Sequence, residues 1–249
     1  MNHLRQELIR DYIEKNEVVT MKQLQKLVPD ISLMTLHRDL DALQNLGYIL
    51  KMRGGARSVN HTDDLEFSER VQENIEAKKI IASKAKKLIR EHDSIFIDAG
   101  TTGLVLAKSL PDIDLTVFTS APNIALELGR LMRPSINLFC GNLNRTNWAV
   151  SGMNTLEMLE KINIDLAFIG VSGCSVENGF TCGRESEMLV KNLVIRKART
   201  SAALCDSTKF TRLMPFTFAA LSDVDYIITE KKLPDRFMTH IEQIGTKIL

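Results

Sequence analysis

The chain has 249 residues, of which 44% are hydrophobic and 25% charged, with a formal net charge of +1. That balance excludes a disordered chain, and only 13 Gly and 6 Pro exclude a collagenous or low-complexity one. No apolar run reaches the roughly 18 residues needed to cross a bilayer, and Met1–Glu7 is polar where a signal peptide would be apolar, so a cytoplasmic protein with no membrane partner is expected.

Leu4, Leu8, Ile9, Tyr12 and Ile13 recur at helical spacing and predict an amphipathic first helix. Val18-Val19-Thr20 interrupts it, and Thr20 is placed to cap a second helix through Met21, Leu24 and Leu27. After the turn Pro29-Asp30-Ile31, Ser32 caps a third helix. That helix carries Leu36, Leu40, Leu43 and Leu46 on one face and stops at Gly47. Tyr48-Ile49-Leu50, the turn Arg53-Gly54-Gly55 and the run Ala56–Val59 complete a hairpin.

Three helices and a hairpin make a winged helix-turn-helix over residues 1–59. In such a unit the third helix enters the major groove of double-stranded DNA. Ser32, Leu33, Met34, Thr35, His37 and Arg38 would then reach base edges, and Lys51, Arg53 and Arg57 on the wing suit phosphates. Asp39 and Asp41 dilute the charge of the helix. The alternative is a winged helix that mediates protein contacts.

Residues 60–76 are polar and read as a linker. From 77 to 90, Ile80, Ile81, Ala85, Leu88 and Ile89 keep helical period among Lys78, Lys79, Lys84, Lys86, Lys87 and Arg90. This pattern fits the solvated face of an amphipathic helix better than a second DNA contact. Beyond residue 93, apolar runs at 94–97, 115–118, 136–139, 166–169, 201–204 and 226–229 alternate with helical patterns at 101–109, 122–132, 153–161 and 184–198. Residues 77–249 therefore predict an α/β domain with a mainly parallel sheet, whose ligand would bind outside the carboxyl ends of the strands.

The loops at those ends are small and polar. Asp98-Ala99-Gly100-Thr101-Thr102-Gly103 passes into a helix, an arrangement suited to phosphate although it lacks the lysine of a P-loop. Ser120 and Asn123, Gly141, then Gly170 and Ser172, and finally Asp206 and Lys209 follow other strands. A phosphorylated sugar fits this set, with Lys209 as the obvious cation and Asp98 and Asp206 as hydroxyl acceptors. Cys140, Cys174, Cys182 and Cys205 form no CxxC pair, and the five histidines no metal motif. Reduced thiols, no metal and no cofactor are expected.

The run from Ser32 to Leu43 (SLMTLHRDLDAL), with Gly47-Tyr48 and Arg53-Gly54-Gly55-Ala56, resembles the DNA-reading signature of the DeoR family of bacterial transcription regulators. The family pattern has Ile-Arg where this chain has Leu36-His37. DAGTT, TSAPN, the CGN and SG pair, DLAFIGVSG, Glu185 and DSTKF resemble the family's effector-sensing domain. The resemblance implies a fold similar to ribose-5-phosphate isomerase and coenzyme A transferases. It also implies a repressor of a sugar-utilisation operon that senses a phosphorylated sugar, with Asp98, Gly100, Thr101, Thr102, Asn123, Gly141, Asp206 and Lys209 lining the pocket.

Because one winged helix covers few base pairs, a dimer or tetramer is expected on DNA, associated with the bacterial nucleoid. The competing reading is a sugar-phosphate isomerase using Glu185, Asp98, Asp206 and Lys209 as acid–base groups. An isomerase has no need of an attached DNA-reading unit, so catalysis is not expected.

Overall fold

A computed structural model describes residues 2–16, 18–45, 48–52, 54–58, 67–210 and 212–249. The chain divides at Asp64 and Leu65 into two units.

The first unit runs α1 (Asn2–Asn16), β1 (Val18–Thr20), α2 (Met21–Leu27), α3 (Leu33–Asn45), β2 (Ile49–Met52) and β3 (Gly55–Ser58). Thr20 caps α2 reciprocally. Its hydroxyl accepts from the Gln23 N–H at 3.3 Å, and its own N–H donates to Gln23 Oε1 at 2.8 Å. Ser32 Oγ accepts from the Thr35 N–H at 3.2 Å and starts α3. Val18-Val19-Thr20, expected only as an interruption, is a strand. Val19 is buried between exposed neighbours, and β1 pairs with β3 to give the antiparallel order β1-β3-β2. Gly55 is needed there, since a Cβ would lie 2.1 Å from the Val19 carbonyl oxygen.

The core of this unit joins Ile9, Ile13, Leu24, Leu36, Leu40, Leu43 and Ile49. The first helix departs from expectation. Leu4 and Leu8 are 74% and 48% exposed, so α1 packs through Ile9 and Ile13 with Tyr12 at the margin. The predicted helix stop at Leu46-Gly47 lies outside the described residues.

In the second unit, α4 (Phe67–Gln72) and α5 (Ile75–Lys86) lead into β4 (Ser94–Ile97), α6 (Thr101–Ser109), β5 (Thr116–Thr119), α7 (Pro122–Leu128) and β6 (Ser135–Leu138). A hairpin, β7 (Asn142–Asn144) and β8 (Ala149–Ser151), precedes α8 (Met153–Glu160) and β9 (Ile164–Gly170). Next come β10 (Gly173–Ser175), β11 (Gly179–Cys182), α9 (Glu185–Lys197) and β12 (Ala198–Leu204). The chain finishes with β13 (Phe216–Ala219), β14 (Tyr226–Ile228), α10 (Asp235–Ile244) and β15 (Lys247–Ile248). Helix α4 and the first two residues of α5 occupy the end of the segment predicted as linker, whose residues 60–66 lie outside the described residues, and the rest of α5 falls on the helix predicted from 77 to 90.

The main sheet is parallel throughout, in the order β15-β14-β12-β9-β4-β5-β6. Alternate residues serve its two faces. Phe96, Ala167, Ile169 and Ala203 pack beneath α8, α9 and α10 with Leu159, Val194 and Phe237. Ile95, Ile97, Leu166, Phe168 and Ala202 pack beneath α5, α6 and α7 with Ile81, Leu106 and Ile124. Both faces being covered, the strands read as short continuous apolar runs. After β4 the chain proceeds outward to β5 and β6, then returns to the other side of β4 as β9 and moves on to β12. The order therefore reverses between β4 and β9, and the crevice at such a reversal is where open α/β sheets bind ligands.

Candidate functional site

The recognition surface of the first unit is the amino-terminal half of α3. Ser32, Leu33, Met34, His37 and Arg38 are exposed, while Leu36 and Leu40 are buried on the opposite side. Met34 is 68% and Leu33 49% exposed, an unusual pair of apolar side chains to leave facing water. Asp39 does not dilute this surface. It is turned inward at 3% exposure and accepts from Arg5 Nε of α1 at 2.6 Å and from Gln6 Nε2 at 3.1 Å. Asp41 pairs with Lys51 of the wing. Arg53 lies outside the described residues, and Arg57 is placed by its backbone in β3.

In the second unit, Asp98 follows β4 and Gly170 closes β9, one on each side of the reversal. The Gly170 N–H donates to Asp98 Oδ2 at 2.9 Å. Lys191 of α9 donates to the same carboxylate and, at 2.8 Å, to the Gly170 carbonyl oxygen. Lys191 and Asp98 are 5% and 4% exposed. Burial opposes the ammonium charge, but Asp98 and then Glu187 outweigh it and raise the Lys191 pKa. The lysine is therefore a buried, permanent cation, 5.4 Å from the centre of the Phe218 ring. Burial pushes the nearby Cys182 thiol up to about 11, so it stays protonated at neutral pH.

Around this pair opens a small cleft with an enclosed volume of about 20 Å³, or about 270 Å³ of empty space when its open mouth is counted. Asp98, Ser120, Asn147, Ser151, Glu187 and Lys191 supply its polar lining, with Ala99 and Ser186 beside them. Three helices begin at its wall. Gly100, at φ +133°, precedes α6; Gly152, at φ +118°, precedes α8; and Arg184 precedes α9. None of these three cap residues places a side-chain oxygen on the first turn. The amino-terminal amides of a helix carry partial positive charge and attract anions.

Of the residues expected at a ligand site, Asp98 and Ser120 line the cleft, and Gly100, Thr101 and Thr102 form the turn into α6 beside it. Asn123 opens α7. Its Oδ1 accepts from the Ile124 N–H at 3.0 Å, and its Nδ2 is buried with no partner among the described residues. Gly170 contributes backbone groups to the Asp98–Lys191 pair. Gly141 sits at the base of the β7–β8 hairpin at φ +149°, where a Cβ would lie 2.4 Å from the Ser151 carbonyl oxygen. The Ser172 N–H bonds the Thr181 carbonyl, and Glu185 is the first residue of α9. Neither is part of the cleft lining.

Asp206 and Lys209 form a separate cluster beyond β12. Asp206 Oδ1 accepts from the Thr208 N–H at 3.0 Å, and Lys209 Nζ stands 3.8 Å from Asp206 Oδ2. Lys191, not Lys209, is thus the cation of the cleft. Sequence reading missed Lys191, Asn147, Ser151, Ser186 and Glu187. Among the described residues no group of three or more His, Cys, Asp or Glu could hold a metal ion, and no helix is long and apolar enough to cross a membrane.

A winged helix-turn-helix joined to an α/β domain with a charged cleft at its strand reversal defines a ligand-sensing regulator of transcription. Residues 5–62 match the DeoR-like helix-turn-helix domain and residues 73–231 the DeoR C terminal sensor domain. The chain belongs to the DeoR family of DNA-binding transcriptional regulators. It is 29% identical to the HTH-type transcriptional regulator GolR of Listeria innocua, over 98% of this chain and 96% of that protein. To the HTH-type transcriptional repressor GlcR of Bacillus subtilis it is 31% identical, over 97% of this chain and 93% of that one. It is also similar to the structure of ribose 5-phosphate isomerase A from Methanocaldococcus jannaschii, with 14% identity and a TM-score of 0.40 over 55% of each chain.

Proposed function

We propose that this regulator represses a sugar-utilisation operon, and that a phosphorylated sugar held in the sensor-domain cleft weakens its grip on operator DNA. The observation that carries this reading is the meeting of the buried, charged Lys191 with the opening residues of α6, α8 and α9. A phosphate takes helix-terminal amides and an ammonium as partners. Ser120, Asn147, Ser151, Ser186 and Glu187 offer the hydroxyls, amide and carboxylate that a sugar needs. Thr101 and Thr102 add hydroxyls at the start of α6.

Asp98 serves by holding Lys191 in place. Its carboxylate is engaged by Lys191 and the Gly170 N–H, so it is occupied in positioning the lysine, which supports binding over isomerase chemistry. On the DNA side, Arg38 suits a guanine edge, and exposed Leu33 and Met34 suit thymine methyl groups. Lys51, Arg53 and Arg57 would follow the backbone phosphates. Two copies acting in the cytoplasm, paired through their sensor domains, would read two half-sites.

The test begins with an operator enriched from random duplexes by affinity. It is then titrated in the presence of ribose 5-phosphate, glucose 6-phosphate, fructose 6-phosphate and glycerol 3-phosphate, each beside its unphosphorylated parent. One phosphorylated compound should weaken operator binding while its parent does nothing. Arg38→Ala should cost about 1–3 kcal/mol at the operator and relax base preference. A panel without effect, or an Arg38→Ala protein with undiminished operator affinity, would overturn this reading.

A further inference from the structure

We propose that the β7–β8 hairpin relays occupancy of the cleft to α4, through the hydrogen bond between the Thr146 carbonyl and Arg70. The proposal rests on the effector reading of the cleft and names the route by which that cleft governs the DNA-binding unit.

The hairpin faces two ways within three consecutive residues. Asn147 lines the cleft, is 8% exposed, and donates from Nδ2 to Glu187 Oε1 at 2.5 Å. Its predecessor Thr146 turns its carbonyl outward to accept from Arg70 Nη2 at 3.1 Å, a bond between residues 76 positions apart. Its successor Trp148 has φ +57°, a left-handed conformation that a bulky side chain adopts only when its surroundings impose it. The base of the hairpin is fixed, because the Val150 N–H bonds the Ser120 carbonyl at 2.7 Å and Gly141 lies against Ser151. Asn147 Oδ1 accepts from the Ala149 N–H at 3.1 Å, and the Thr146 N–H donates to Asn144 Oδ1 at 2.9 Å, so the tip from Asn144 to Ala149 is one hydrogen-bonded turn that carries a disturbance at Asn147.

The receiving element is the first described helix after Ser58, and so the part of the sensor domain joined most directly to the wing by the chain. Arg70 also lies over the Phe67 ring, 5.7 Å from its centre. Lys78, buried in α5, donates to the carbonyls of Arg70 and Glu73 and fastens the end of α4. Phe67 and Val71 pack on the core shared with α6, the helix that opens at Gly100 beside the cleft. Helix α4 thus touches the hairpin that lines the cleft and the helix that begins beside it. A sugar hydroxyl that takes Glu187 competes with Asn147 Nδ2. Release of Asn147 lets Trp148 leave the left-handed region and withdraws the Thr146 carbonyl from Arg70.

Trp148 is the only tryptophan of the sequence and is 41% exposed, so its fluorescence reports the hairpin tip without reference to DNA. The experiment uses the full chain, the enriched operator and the same four phosphorylated compounds. In the wild type, the active compound should shift Trp148 emission and weaken operator binding about tenfold or more, within the usual range of coupling. Arg70→Met keeps the aliphatic stem and removes the donors. It should bind the compound within about twofold of wild type and keep the emission shift, yet change operator affinity less than about twofold. Trp148→Gly, with binding read by calorimetry, should likewise bind the compound and respond weakly on DNA.

Four compounds silent in wild-type fluorescence, calorimetry and operator titration would overturn the effector reading and the relay with it. Binding intact with a full DNA response in Arg70→Met would overturn the relay alone. So would loss of compound binding in Arg70→Met, since Arg70 would then belong to the site. If Arg70→Met fails to fold, Trp148→Gly decides: a full DNA response there overturns the relay.

Discussion

Replacing Lys191 with Met isolates the energetics of the cleft. The side chain keeps its approximate length, so no large void opens, but the Asp98 carboxylate at 4% exposure loses its ammonium partner and keeps the Gly170 N–H. Breaking a buried ion pair from one side costs about 3–5 kcal/mol. Against a total stability of about 5–15 kcal/mol, that is a large fraction. For a domain of this size it lowers the melting temperature by about 6–20 °C. Urea unfolding of wild type and Lys191→Met at pH 7 should show that gap. Adding Asp98→Leu should recover more than half of the loss, because the orphaned charge is gone. A loss below about 1 kcal/mol at neutral pH would refute the claim that Lys191 and Asp98 form a desolvated pair.

Gly141→Ala forces a Cβ against the Ser151 carbonyl at a backbone angle of +149°, and should cost about 1–3 kcal/mol in thermal unfolding while leaving the winged helix intact. Asp165 accepts from the Ser94 N–H at 3.0 Å and from the Ser94 hydroxyl at 2.8 Å, and these bonds depress its pKa below 3.8. Its contribution is complete above that value and lost as pH falls through the depressed folded pKa. Asp165→Ala should therefore be less stable than wild type at pH 7, with the difference shrinking as pH falls below 3.8 in chemical unfolding.

Six strands of the parallel sheet were legible because burial on both faces writes them as short apolar runs, and most begin within a residue or so of where the runs predict them, whereas β15, two residues long, was not. Ser32 and Thr20 were legible as caps because their hydroxyls precede helical periodicity. The hairpins β7–β8 and β10–β11 were not, since three or four residues carry too little alternation to stand out. Leu4 and Leu8 mislead because spacing alone does not reveal which apolar residues of a helix meet a partner. Lys191 was hidden by distance, as its partner Asp98 stands 93 positions away. A signal was nevertheless present: Lys191 is three and four residues before Val194 and Ile195, both buried, and so lies on the apolar stripe of α9. A charge on such a stripe calls for an opposite charge at the sheet edge, and Asp98 is the acid at the end of a central strand. Lys209 sits in a polar loop where a surface lysine and a ligand lysine look alike.

The strand reversal that builds the cleft also fixes when the cleft can exist. Asp98 and Gly170 come from strands made far apart in time, and Lys191 is synthesised later still. The winged helix lies within the first 64 residues and is translated first. Ribosomes add about 5–20 residues per second, so a nascent chain carries its DNA-reading unit for about 6–25 seconds before α9 can deliver the cation to the sheet. During that interval a half-made copy carries its DNA-reading unit without the residues that complete the cleft.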